Sequence, residues 1–209
     1  MLLLDIETFQ VCGKSSIWDF AAIDTVTKQE FHFINAAAVA RASDLLRDNF
    51  NVRFFERKHV NYCLNNQTAE RLNHKEFIGN IQDLVDNYKV ISAYNVNFDY
   101  GELKRHRIKF DKKLKRVCLW GSFVNAFVNH KYVAWCFDNQ YISEKGNIQT
   151  SAEIAYRYLF DPDYVHQHTA LMDCHSELAI WDKIKARKQK LEKSTSFHIV
   201  KKRLKKLGY

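Results

Sequence analysis

The sequence has little that bends or crosslinks a chain: one proline, six glycines and five cysteines in 209 residues. The cysteines, Cys12, Cys63, Cys118, Cys136 and Cys174, are odd in number, far apart and without a Cys-x-x-Cys pair. That argues against both a disulfide framework and a zinc knuckle, and makes a reducing cytoplasm the expected location. No stretch approaches the ~20 apolar residues of a membrane span. The opening "MLLL" stops at Asp5 with no basic leader before it, so neither a signal peptide nor a membrane partner is expected. Repeats and low-complexity linkers are missing as well, and the length suits one well-buried domain better than two.

What is present is an ordinary globular composition, 46% hydrophobic and 27% charged, with an uneven charge. The net +8 is concentrated at one end: from Lys183 to Tyr209 there are eleven Lys and Arg against the single acid Glu192, a net +10, so the preceding 182 residues carry −2. The expected organisation is therefore a catalytic or binding domain over 1–182 and a basic helical tail over 183–209. The tail reads as a helix continuation, a Ser/Thr break and a second short basic helix. It is either a solvated surface helix or a nucleic-acid contact.

Patterning gives an α/β sheet covered by helices. "MLLLDIE", "SSIWDFAAID" and "QEFHFIN" read as a three-strand meander, with Gly13 and "TVTK" as turn material. Residues 36–72 are harder to read and are expected to be mostly helical. Asn73 and Glu76 form a capping box for "HKEFIGNIQDLVDNYK", whose Phe77, Ile78, Ile81, Leu84 and Val85 share one face. "KVISAY" is a buried strand leading into a helix, and "RVCLWGSFVNAF" holds another strand and helix. "KYVAWCF" is expected to be a strand or covered loop. Thr150 and Glu153 suggest a second capping box for a helix that stops before Pro162, and a last helix begins near Thr169.

The candidate chemistry lies in four carboxylates and a histidine. Asp5 and Glu7 sit one residue apart at the end of an apolar strand, so both project from one face, a costly place for two like charges unless a cation joins them. Asp99 lies at the C-terminal end of another buried strand, where α/β folds gather their sites, although a carboxylate there also suits a helix N-cap. Asp173 falls in the first turn or so of the last helix, with His168 five residues earlier in the approach loop. Oxygen ligands without cysteine suit Mg²⁺ or Mn²⁺ better than zinc. The His-to-Asp spacing alone proves little, because His106 and Asp111 repeat it inside a Lys/Arg-rich stretch. By that spacing His166 reads as loop, His175 as helix surface and Cys174 as a small buried residue.

Taken together, "LLLDIET", "SAYNVNFDY" and "HTALMD" resemble the three motifs of the DnaQ-like 3′ to 5′ exonucleases. The likeness is to the subgroup with four acids and a histidine (DEDDh), which includes small phage exonucleases, in the ribonuclease H-like superfamily. It spans about residues 1–182, with Thr169 where the sister subgroup carries tyrosine. Tyr94 stands where the family often has histidine, and "VCLW" replaces a common Asp-Thr.

The resemblance implies a ribonuclease H-like mixed sheet, an antiparallel three-strand meander plus parallel strands, covered by helices. It also implies two Mg²⁺ or Mn²⁺ ions. Asp5, Glu7 and Asp173 would bind one, Asp5 would bridge to a second, and Asp99 would order the second ion's hydration shell. His168 would take the proton from the attacking water. Thr8, Phe9, Asn95 and Phe98 would meet the 3′ end of single-stranded DNA or RNA, releasing nucleoside 5′-monophosphates, with a polymerase or replication protein as a further partner. The competing expectation is a nucleic-acid-binding or polymerase-associated subunit of the same fold with weak catalysis.

Overall fold

The central strand is apolar on both faces at its start. In β1 (Leu2–Val11), Leu2, Leu4 and Ile6 belong to one apolar cluster, while Leu3 belongs to the cluster on the opposite face. Asp5 and Glu7 share the face of Leu3, as the two-residue period of a strand requires. The structure is a computed structural model that describes residues 1–11, 14–41, 69–188, 191–195 and 197–209. Cys12, Gly13, Cys63 and most of the 36–72 stretch lie outside the described residues.

β1 pairs antiparallel with β2 (Lys14–Asp24), which pairs antiparallel with β3 (Glu30–Asn35), so the expected meander is present. On its other edge β1 runs parallel to β5 (Val90–Ala93), which is parallel to β6 (Lys115–Cys118). A short β4 (Glu70–Leu72) pairs parallel with β3, giving the order β4-β3-β2-β1-β5-β6. This mixed sheet is consistent with a ribonuclease H-like arrangement. Of the 36–72 stretch, residues 36–41 are helical as expected and Glu70–Leu72 form β4, a strand too short to show a period in the sequence, while 42–68 lie outside the described residues.

Helices cover both faces. α1 (His74–Asp86) has the expected capping box, Asn73 accepting from the Lys75 and Glu76 amides, and buries Phe77, Ile81, Leu84 and Val85. With α2 (Val96–Arg105) it packs on the Leu2, Leu4 and Ile6 face. The opposite face carries α3 (Leu119–Phe127), α4 (His130–Asp138), α5 (Ala152–Leu159), α6 (Ala170–Ala186) and α7 (Phe197–Lys206).

Two local readings are corrected. "KYVAWCF" is helical, because the Asn129 side chain accepts from the Lys131 and Tyr132 amides and starts a helix that buries Tyr132, Val133 and Cys136. The cap of α5 is Ser151, whose hydroxyl accepts from the Ile154 amide, whereas the Thr150 hydroxyl accepts from the Trp120 indole N–H at 2.8 Å.

The basic tail has the expected helix, break and helix, and it is docked. α6 continues through residue 183, and Val200 is 2% exposed in the same cluster as Leu3 and Ile180. The break is tied to α3: Cys118 N–H donates to Glu192 O at 2.7 Å, and Glu192 N–H donates to the Ser122 hydroxyl at 3.0 Å. Gly121 permits this crossing, since a Cβ there would stand 2.9 Å from the Glu192 Cβ and 3.0 Å from the Thr195 Cβ. Gly79 in α1 has open space around its absent Cβ. Gly79→Ala is therefore expected to raise unfolding free energy by about 0.5–1 kcal/mol through helix propensity, and Gly121→Ala to lower it despite the same propensity gain. Urea denaturation of the two variants checks the opposite signs.

Candidate metal centre

Two elements deliver three carboxylates to one point on the α6 side of the sheet. β1 supplies Asp5 and Glu7, α6 supplies Asp173 from its first turn, and carboxylate oxygens of these three lie within 4.8 Å of one another. Asp173 belongs equally to a second group, with one ligand atom each from His166 and His168, again within 4.8 Å. Asp99, in the first turn of α2 and 4% exposed, joins them electrostatically. The strand register shifts between Glu7 and Thr8, a bulge directly after the second acid.

The charges are held at a cost. Burial, then Asp173, Glu177, Asp99 and Glu7, hold the Asp5 carboxyl well above the usual carboxylate range. Burial, then Asp173, Asp19 and Asp99, push Glu7 up to about 9. Asp99 is raised to about 7 by burial, against the Asp99 and Ile6 backbone amides, which favour its ionised form. Among the described residues no Lys or Arg pairs with any of these acids. Carboxylates so placed either keep protons or take up a cation.

The histidines correct one sequence reading. His166 is in the approach loop, as expected, but its Nε2 stands 2.5 Å from Asp173 Oδ1. Both atoms are buried, so this contact sets the imidazole of His166 directly against the Asp173 carboxylate. His166 Nδ1 and His168 Nδ1 are 2.9 Å apart and hydrogen-bonded, one donating and the other accepting. His168 has φ +52°, a left-handed conformation that costs a non-glycine residue about 1–2 kcal/mol and persists only where the surroundings impose it. Burial, and secondarily His166, lower the His168 pKa, so the neutral, proton-accepting ring is favoured.

Two further acids escaped the sequence reading. Glu177 follows Asp173 by one helical turn, is 2% exposed, and accepts from the Tyr94 amide at 3.1 Å. Burial, then Asp99 and Asp173, raise its pKa well above the ordinary value. The i, i+4 spacing in "DCHSE" carried that signal. Asp19 sits opposite Glu7 in register, accepts from the His32 ring at 2.9 Å, and accepts from the Ala170 amide at 3.0 Å. It thereby fixes the first turn of α6 that bears Asp173. No sequence signal marks it, since the contact spans 151 residues.

The donor set fits a hard divalent cation: carboxylate oxygens and imidazole nitrogens, without thiolate. Cys174 is buried, its thiol is directed to the Ala21 carbonyl, and burial followed by the Asp5 charge pushes its pKa up. His106 and Asp111 do not meet: His106 Nδ1 bonds the Glu102 carbonyl, and Asp111 accepts from the Lys113 amide.

The residues expected to meet substrate divide. Thr8 is half-buried beside the acids, Asn95 is exposed at the start of α2, and Phe98 is 47% exposed in its first turn. Phe9 is 6% exposed and stacks on Trp18 at 5.1 Å, so its ring is core and not a contact surface, which corrects that expectation.

No family model matches the chain. Among the described residues no helix is long and apolar enough to cross a membrane.

The raised carboxyls set a pH dependence. A carboxylic acid near 4.3 in the unfolded chain and about 9 when folded, as for Glu7, makes the native state bind more protons between those values. Its stabilising contribution is present below pH ~4 and is lost as pH rises toward 9. Metal-free protein is expected to lose thermal stability from pH 5 to pH 9, and Glu7→Gln to flatten that slope and melt higher at pH 8. Melting curves in chelator check this; parallel slopes for parent and variant contradict it.

Proposed function

We propose that the protein is a metal-dependent 3′ to 5′ exonuclease that releases nucleoside 5′-monophosphates from DNA or RNA 3′ ends, using Mg²⁺ or Mn²⁺. The observation that carries the reading is the convergence of Asp5, Glu7 and Asp173 within 4.8 Å, with His166 and His168 gathered on the same Asp173. The resemblance of the three sequence motifs supports it, because those motifs supply Asp5, Glu7, Asp99, His168 and Asp173.

In this reading Asp5, Glu7 and Asp173 hold the cations, with Asp99 ordering the surroundings. When bound, the ions would make a water nucleophilic near neutral pH and offset charge on the departing 3′ oxygen. His168 takes the proton of the attacking water, a role suited to a ring kept neutral by burial. His166 orients His168 through the bond between their Nδ1 atoms. The exposed Phe98 ring gives the terminal base a stacking surface, a contact worth ~1–3 kcal/mol that tolerates any sequence. Glu177 and Asp19 act at one remove, tying α6 to the strand ends.

The direct experiment incubates the pure protein with 5′-labelled DNA and RNA in Mg²⁺, Mn²⁺ or chelator. A ladder shortening from the 3′ end, abolished by chelator, is expected. Binding without cleavage would favour the non-catalytic subunit instead. Asp5→Ala and Asp173→Ala are expected to abolish hydrolysis with the fold retained. His168→Ala is expected to lower turnover by ~10²–10⁴, while His106→Ala changes it little. Equal loss in both histidine variants, or in neither, overturns the general-base role.

A further inference from the structure

On the far side of α2 from its N-terminus, Lys104, Arg107, Lys109, Lys112 and Arg116 line a groove of about 780 Å³ with one acid, Asp111. Its floor is aromatic: Tyr100 and Phe110 stack with ring centroids 4.5 Å apart. The Arg116 guanidinium lies 4.5 Å over the Tyr100 ring and the Lys104 ammonium 5.6 Å from it, so two cations are held in place before any ligand arrives. Asp111 does not neutralise them; its carboxylate accepts from the Lys113 amide within its own turn. Among the described residues none of the five cations forms an ion pair. The nearby Arg105 pairs with Glu102 instead.

We infer that this groove binds the phosphodiester backbone of a single-stranded nucleic acid, upstream of the 3′ end that occupies the carboxylate site. The charge is complementary: five cations against one engaged carboxylate make a surface for a polyanion. One helix links the two places, since Asp99 and Tyr100 are neighbours in α2 and Lys104 lies further along it. At a rise of ~1.5 Å per residue, Lys104, near the end of α2, lies on the order of 10 Å along the helix from Asp99, and Arg107 follows just beyond the helix end. At about 3.4 Å of stacked rise per nucleotide, that span corresponds to roughly three nucleotides. A dinucleotide engages the carboxylates alone, whereas longer strands engage both. The inference rests on the exonuclease reading for the direction of the strand, but its binding component is tested without catalysis.

The test measures anisotropy of a 5′-fluorescein 20-residue oligothymidylate in chelator, across a range of NaCl. The parent chain is compared with Lys104→Gln/Lys109→Gln/Lys112→Gln, three exposed lysines, and with the single variant Lys112→Glu. Each lost single-strand phosphate contact flattens the log Kd against log salt slope by about 0.7, so the triple variant is expected to lose about 2 from the slope and at least tenfold in affinity at low salt. Lys112→Glu is expected to move both in the same direction by less. Where cleavage is measurable, dinucleotide hydrolysis is expected to stay at the parental rate. A parental slope and affinity in both variants overturns the inference, as does loss of the slope only when Lys201, Lys202, Lys205 and Lys206 of α7 are changed to Gln. A parent that shows no salt-dependent binding overturns it too. Binding through the groove without cleavage would sink the exonuclease reading alone, and cleavage with an unchanged slope would sink the groove alone.

Discussion

The crowding of carboxylates at the end of the central strand is the constraint to which the rest of the structure answers. Two unit charges 4 Å apart repel by about 4 kcal/mol at the effective dielectric of a protein surface. Here Asp5, Glu7, Asp99 and Glu177 have raised pKa values, with burial as the largest contribution to each, and the Asp173 carboxylate adds to the shift of Asp5, Glu7 and Glu177. A chain does not relieve such a cost with packing alone; protons or a cation must share the space. Each acid comes from a rigid element, strand or helix, and none from a long loop.

The remaining architecture holds those elements in register. Asp19, directly across from Glu7, binds the Ala170 amide and so fixes where α6 starts, while the Tyr94 amide, just past β5, binds Glu177 about two turns later. α6 is thus tied at two points to two strands. The docked break and α7 brace α3 on the same face, which is why a segment that reads as a basic appendage contributes Val200 to the core.

Periodicity and caps made most of the fold legible: the meander, α1 with its Asn73 box, β5 into α2, and α6 after Thr169. The misreadings are local. Asn129 outweighed the apolar run of "KYVAWCF", and Ser151, one residue on from Thr150, took the cap. In the site, Asp5, Glu7, Asp173 and His168 were legible from order and placement. His166 was not, because spacing favours His168 and only the left-handed turn at His168 brings both rings to Asp173. Asp19 was not legible either, since its partners His32 and Ala170 are joined to it only by folding. The Lys/Arg-rich stretch around His106, a spacing decoy for catalysis, holds instead a groove whose cations no carboxylate among the described residues neutralises.

The central claim is that these carboxylates form a cation site that is protonated when empty. It is tested most directly by calorimetric titration of Mn²⁺ or Mg²⁺ into metal-free protein at pH 7, in two buffers of different ionisation enthalpy. With Glu7 held at about 9, binding is expected to be accompanied by net release of about one proton or more, and Asp5→Asn is expected to abolish the binding. Saturable binding without proton release, or binding of parental strength in Asp5→Asn, would contradict the account.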